Sequence, residues 1–198
     1  MKVSTFWGLV ILTGFFSGCS HLPIAASPND VLSPAEHVTL GESYLKQNDK
    51  RLAKRQFEAA LQADRSYVPA LVALGNLSFE EKDYKRARRY FERAQKISPK
   101  DPAVVNNVAM VYLAEGKNLK GIDVMVEDAL DGAGPTTPYL WDTLANIAIR
   151  QKRWDDAKNA IEKAAETAPA QDPAFQTQLQ ETRQKLASAA GTKTAESP

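Results

Sequence analysis

Apolar residues recur along this chain at the three-and-four spacing of amphipathic helices, and the helices they mark come in pairs. Leu40, Tyr44 and Leu45 share one helical face, and after a polar gap Ala53, Phe57, Ala60 and Leu61 form a matching stripe. The layout returns with Leu71, Leu74, Ala87, Phe91 and Ala94, and again with Trp141, Leu144, Ala157, Ile161 and Ala164. Alanines in the second stripe let two helices approach closely, and the phenylalanine or isoleucine fills the space between them. The pattern predicts an all-α fold built of helix hairpins.

Punctuation marks the same units. Ser33-Pro34, Asp101-Pro102, Thr137-Pro138 and Asp172-Pro173 each pair a capping side chain with a proline. The cap accepts a bond from an orphan helical amide, and proline at the first helical position gives up a donor that has no partner anyway. Ser33-Pro34-Ala35-Glu36 also has capping-box spacing. The second unit starts near Val68-Pro69 instead, so starts at 34, 68, 102 and 138 are 34, 34 and 36 residues apart. In the third unit Gly121 or Ile122 replaces the small alanine and Met125 or Val126 replaces the phenylalanine. The stretch Asp131 to Thr137 is expected to carry the extra length as a loop. Residues 173–190 predict a polar helix with a thin stripe of Phe175, Leu179 and Leu186, and residues 191–198 a disordered tail.

The strings Leu40-Gly41-x-x-Tyr44…Ala53…Phe57…Ala60, Leu74-Gly75…Ala87…Phe91…Ala94…Pro99, Val108-Ala109-x-x-Tyr112 and Trp141-x-x-Leu144-Ala145…Ala157…Ile161…Ala164…Pro169 resemble the tetratricopeptide repeat. The resemblance implies a solenoid of four repeats, over residues 34–67, 68–101, 102–137 (degenerate) and 138–171, closed by 173–190 as a capping helix with a wet outer face. It also implies that the first helices line a concave groove holding a protein or peptide. The matching positions include Leu45 from the first repeat, Asn76 and Phe79 from the second, Asn106, Met110 and Leu113 from the third, and Tyr139, Asp142, Asn146 and Ile149 from the fourth. Asparagine amides offer both donor and acceptor to an extended peptide backbone, and Met110 adapts its shape to an apolar occupant. Asn76, Asn107 and Asn146 are also explained by packing within the repeat consensus. The lysines of the family's carboxylate clamp are absent, with Val38 and Ala73 in their places.

The start of the chain carries a different signal. Lys2 precedes an apolar run from Phe6 to Phe16, then Ser17-Gly18-Cys19, the layout of a secretory signal. The run is shorter than the ~20 residues needed to span a bilayer. Phe16-Ser17-Gly18-Cys19 resembles the bacterial lipobox, departing from it at Phe16 where leucine is preferred. That resemblance implies cleavage after residue 18, acylation of Cys19 and, with Ser20 next, retention in the outer membrane on its periplasmic face. Acyl chains contribute ~0.8 kcal/mol per buried methylene, and residues 19–32 would serve as the acylated tether. An ordinary cleaved signal with an incidental cysteine is the alternative. In layout the chain resembles the pilotin-type lipoproteins of type IV pili and the repeat lipoproteins of tight-adherence pili, which help secretin subunits reach or assemble in the outer membrane. An adaptor for peptidoglycan enzymes is the rival function.

Charge and chemistry narrow the picture. Apart from Lys2, basic and acidic residues balance at 24 each, which argues against nucleic acid as partner. Arg86, Arg88, Arg89 and Arg93 crowd one helix. They read as a solvated face with salt bridges, or as a surface for anionic lipid or wall polymer. One cysteine and two histidines, His21 and His37, provide neither a disulfide nor a spaced metal-ligand cluster. No nucleophile–histidine–acid set and no glycine-rich phosphate loop occurs, so no catalysis, cofactor, metal or small-molecule substrate is expected.

Overall fold

The computed structural model describes residues 32–133, 137–169 and 172–191. Over these the chain is a row of antiparallel helix hairpins. Helices α1 (Pro34–Lys46) and α2 (Lys50–Ala63) form the first, α3 (Val68–Glu80) and α4 (Tyr84–Ile97) the second, α5 (Pro102–Glu115) and α6 (Leu119–Ala133) the third, and α7 (Pro138–Arg150) and α8 (Trp154–Thr167) the fourth. Helix α9 (Pro173–Gly191) follows and packs on α7 and α8. The signal segment, Cys19 and its tether, and the tail from 192 on lie outside the described residues. No helix among those described is long and apolar enough to cross a membrane.

Local chemistry sets the helix ends. Ser33 and Glu36 form a full capping box at α1. Each hairpin turns through a residue with positive φ: Asn48 at 60°, Lys82 at 60°, Gly116 at 67° and Lys152 at 60°. That conformation closes a Schellman motif: Asn48 N–H donates to the Leu45 carbonyl and Asp49 N–H to that of Tyr44, both at 2.9 Å. Asp49 then caps the next helix, its Oδ1 accepting from Leu52 N–H at 2.9 Å, and Asp83 does the same for Arg86 N–H at 3.0 Å. The fourth hairpin has Arg153 at that position, with no cap bond. Its guanidinium instead holds Asp123 of α6 at 2.8 and 2.7 Å, joining the third hairpin to the fourth.

The core runs between the paired helices. Ala53, Phe57, Ala60, Ala87, Ala94, Ala157 and Ala164 are fully buried, and Phe91 is nearly so. In the third hairpin Ile122 and Val126, rather than Gly121 and Met125, take the inner positions. Helix α6 also continues through Asp131, Gly132 and Ala133, where a loop was expected. Burial of Ala129 against this core extends the apolar stripe one turn further. Helix α9 runs to Gly191, one residue beyond its expected end. His37 is buried, its Nδ1 bonded to Gln56 Oε1 at 2.8 Å.

Candidate functional site

The first helices of successive hairpins pack side by side: α1 on α3, α3 on α5, α5 on α7, and α7 on α9. Their shared face carries a cavity of about 730 Å³. Its apolar wall is Phe79 of α3, Met110, Leu113 and Ala114 of α5, and Ile149 of α7. Phe79 is fixed by a tilted contact with Tyr84, ring centroids 5.2 Å apart. The polar wall comes from Asp142, Asn146 and Arg150 on α7 and from Gln178, Glu181, Thr182 and Lys185 on α9. An apolar floor with a few convergent polar groups is the usual make-up of a binding cavity.

Phe79, Met110, Leu113, Asn146 and Ile149 are thus brought together, and four other sequence-derived groove residues are not among the lining. Leu45 and Asn76 are exposed nearer the N-terminal end of the row. Asn106 spends its Oδ1 on the Thr143 hydroxyl, which donates at 2.7 Å, so it ties α5 to α7 instead of facing a peptide. Tyr139 sits at the start of α7 with its ring edge-on to Phe175, centroids 4.7 Å apart, and its hydroxyl donating to Asp172 Oδ2 at 2.6 Å. That bond raises the tyrosine pKa and lowers that of Asp172. The same carboxylate accepts from Phe175 N–H at 3.0 Å and so caps α9.

Helix α9 is more than a terminal cap, because its inner side forms a wall of the cavity. Phe175 and Leu179 are fully buried against the fourth hairpin. Beside them runs a polar seam. Asn146 Nδ2 donates to the Asp142 carbonyl at 2.8 Å and to Thr182 Oγ1 at 3.1 Å, and Gln178 Nε2 donates to Asp142 Oδ2 at 2.7 Å. Asp142 is 1% exposed, and burial raises its carboxyl pKa. The burial of Asp142 was not visible from its repeat position; the glutamine-rich face of α9 was the available signal.

The basic helix α4 is largely engaged within the chain. Arg86 pairs with Glu81, and with Asp83 at 3.3 Å. Arg88 reaches Glu115 at 3.2 Å and lies over the Tyr112 ring, 5.7 Å from its centroid. Tyr112 in turn donates to Glu92 at 2.6 Å. Arg93 donates to the Arg65 carbonyl at 2.9 Å, and Arg89 is exposed. Among the described residues no group of histidine, cysteine and carboxylate side chains is placed to hold a metal ion.

The tetratricopeptide repeat family model matches residues 38–102. The fold is similar to that of Pseudomonas aeruginosa pilF, at TM-score 0.61 and 20% identity over 81% of this chain and 74% of that one. It is similar also to PilW, a widely conserved type IV pilus biogenesis factor, at TM-score 0.64 and 17% identity over 80% of this chain and 78% of that one. The chain belongs to the tetratricopeptide repeat family. A further relative in Haemophilus influenzae is an uncharacterized protein, 30% identical over 157 residues, which are 78% of this chain and 86% of that protein. For a tetratricopeptide repeat protein the cavity on the first helices is the inner surface of the solenoid.

Proposed function

We propose that this chain is a scaffold of the bacterial cell envelope, which holds a segment of a partner protein in the cavity between α3, α5, α7 and α9. Acyl chains on Cys19 tether it to the periplasmic face of the outer membrane. The observation that carries the reading is the convergence of Phe79, Met110, Leu113 and Ile149 on one open cavity of about 730 Å³. Apolar side chains at the mouth of a cavity gain by being covered, and a peptide or helix is the occupant that reaches across several repeats at once. The likeness in fold to a pilus biogenesis factor supports a pilus or secretin subunit as the partner. The chain in this reading holds its partner and performs no chemistry on it.

Photocrosslinkers at Phe79 and at Arg89, used in cells, test the reading. A secretin or pilus subunit captured from position 79 alone is the expected result. Capture of wall enzymes would replace the pathway and keep the scaffold, whereas products from Arg89 alone would overturn the groove. Metabolic labelling with an acyl analogue tests the anchor: the parent chain takes up label and Cys19→Ser does not. Label on both removes Cys19 as the attachment point.

A further inference from the structure

Asp142 is an unusual residue to find inside the groove. Its carboxylate is 1% exposed yet belongs to the cavity wall. Oδ2 accepts from Gln178 Nε2 at 2.7 Å and from Asn146 Nδ2 at 3.3 Å, while Oδ1 has no hydrogen-bond partner. The Thr182 hydroxyl lies beside the carboxylate and favours its charged form, and it also reaches the Gln178 carbonyl at 3.2 Å. The groups that reach the carboxylate, two amides and the Thr182 hydroxyl, are all neutral. Among the described residues no cation forms an ion pair with it, and the nearby Lys185 ammonium points to Asn146 Oδ1 at 3.4 Å.

A buried carboxylate with one oxygen open is costly, because desolvation of that oxygen is not offset. Asparagine at this position would accept the same two amide bonds without a charge to bury. The carboxylate therefore has a use that the folded chain alone does not supply. We propose that Asp142 anchors the partner by receiving one basic side chain, lysine or arginine, from a segment that is otherwise apolar. The apolar flanks of that segment cover Phe79, Met110, Leu113 and Ile149, and its cation donates to Oδ1, the carboxylate oxygen that has no partner within the chain. A bond to that oxygen relieves its uncompensated desolvation, and the donor's charge offsets that of the carboxylate, so the contact favours binding. The inference rests on the groove reading above and specifies the chemistry of its occupant.

The test measures binding of the full chain to short leucine–alanine peptides carrying one central lysine or, in its place, norleucine, which lacks only the ammonium. The lysine peptide is expected to bind at least about tenfold more tightly, and Asp142→Asn to abolish the difference while still binding both. In the parent chain, carboxyl carbon NMR supplies a readout independent of the variant's folding: the Asp142 signal shifts on adding the lysine peptide and not on adding the norleucine one. Equal binding of the two peptides, or a silent Asp142 signal, overturns the anchor and leaves the groove standing. Failure of both peptides to bind overturns the anchor and the apolar-peptide groove together.

Discussion

The ring of Phe57 lies against Gly41 so closely that a β-carbon on the glycine would stand 2.8 Å from Cδ1 and nearer still to Cε1. Gly75 and Phe91 repeat the relationship at 2.6 Å. In the third and fourth hairpins the small residue is Ala109 or Ala145, and the facing residue shrinks to Val126 or Ile161. Each hairpin thus keeps the space between its helices filled by trading volume across it. Gly41→Ala is therefore expected to lower stability by about 1–2 kcal/mol, because overpacking outweighs the ~1 kcal/mol that alanine gains as a helix former. Adding Phe57→Ile should recover most of the loss. Urea unfolding of the single and double variants checks this, and a stabilised Gly41→Ala would show that the ring yields freely.

Lys82 and Lys152 occupy the left-handed turn at φ 60° that Asn48 and Gly116 fill in the other hairpins. A side chain with a β-carbon costs about 1–2 kcal/mol there, and asparagine bears it best among non-glycine residues. Lys152→Asn is expected to raise the urea midpoint by an amount corresponding to about 0.5–1 kcal/mol. An unchanged or lower midpoint would mean that Lys152 makes a compensating contact.

The repeat period, the proline-led helix starts and the alanine–aromatic stripes made the fold class legible, since all depend on contacts within one hairpin. What escaped the sequence depends on contacts between hairpins. Asp131, Gly132 and Ala133 looked like the start of a loop, but α6 runs on to Ala133, with Leu130 packed against the core shared with α7. Tyr139 holds a groove position in the repeat register, and only the docking of α9 shows it turned toward Phe175 and Asp172. Asp142 likewise holds a groove position in the register, and only the docking of α9 shows its carboxylate buried. Within the cavity, Phe79, Met110, Leu113 and Ile149 follow directly from their repeat positions because the solenoid stacks first helices in register.

Acid should loosen the start of α9, where Asp172 caps it. The Asp172 carboxyl is held below its ordinary value, first by the Tyr139 hydroxyl and then by the α9 amide it caps. A depressed carboxyl contributes stability that is present above its unfolded value near 4 and is lost as pH falls through the lower folded value. Tyr139→Phe removes the larger cause, so the loss of α9 protection as pH falls below about 4 should be smaller in the variant. Hydrogen exchange of α9 amides at pH 5 and pH 3 reads this out. An identical drop in both proteins would place the acid sensitivity elsewhere.

Asparagines 76 and 146 occupy equivalent repeat positions, yet the structure separates them. Asn76 is exposed and its side chain makes no hydrogen bond among the described residues, whereas Asn146 joins the Asp142 carbonyl, Thr182 and Lys185. Truncating the second leaves buried polar atoms of α7 and α9 without a partner, a loss of about 1–3 kcal/mol. Truncating the first removes nothing from the fold, so Asn76→Ala should change stability by less than about 0.5 kcal/mol. Asn146→Ala should destabilise the C-terminal end selectively, because each element of a solenoid is held by its neighbours alone, and faster amide exchange confined to α7, α8 and α9 would be its signature. Any weakening of partner capture by Asn146→Ala then has to be judged beside Asn76→Ala: only the second reports on an asparagine whose amide is available to a peptide. Equal stability of the two variants would show that the polar seam between α7 and α9 contributes little, leaving Phe175 and Leu179 to hold α9 in place.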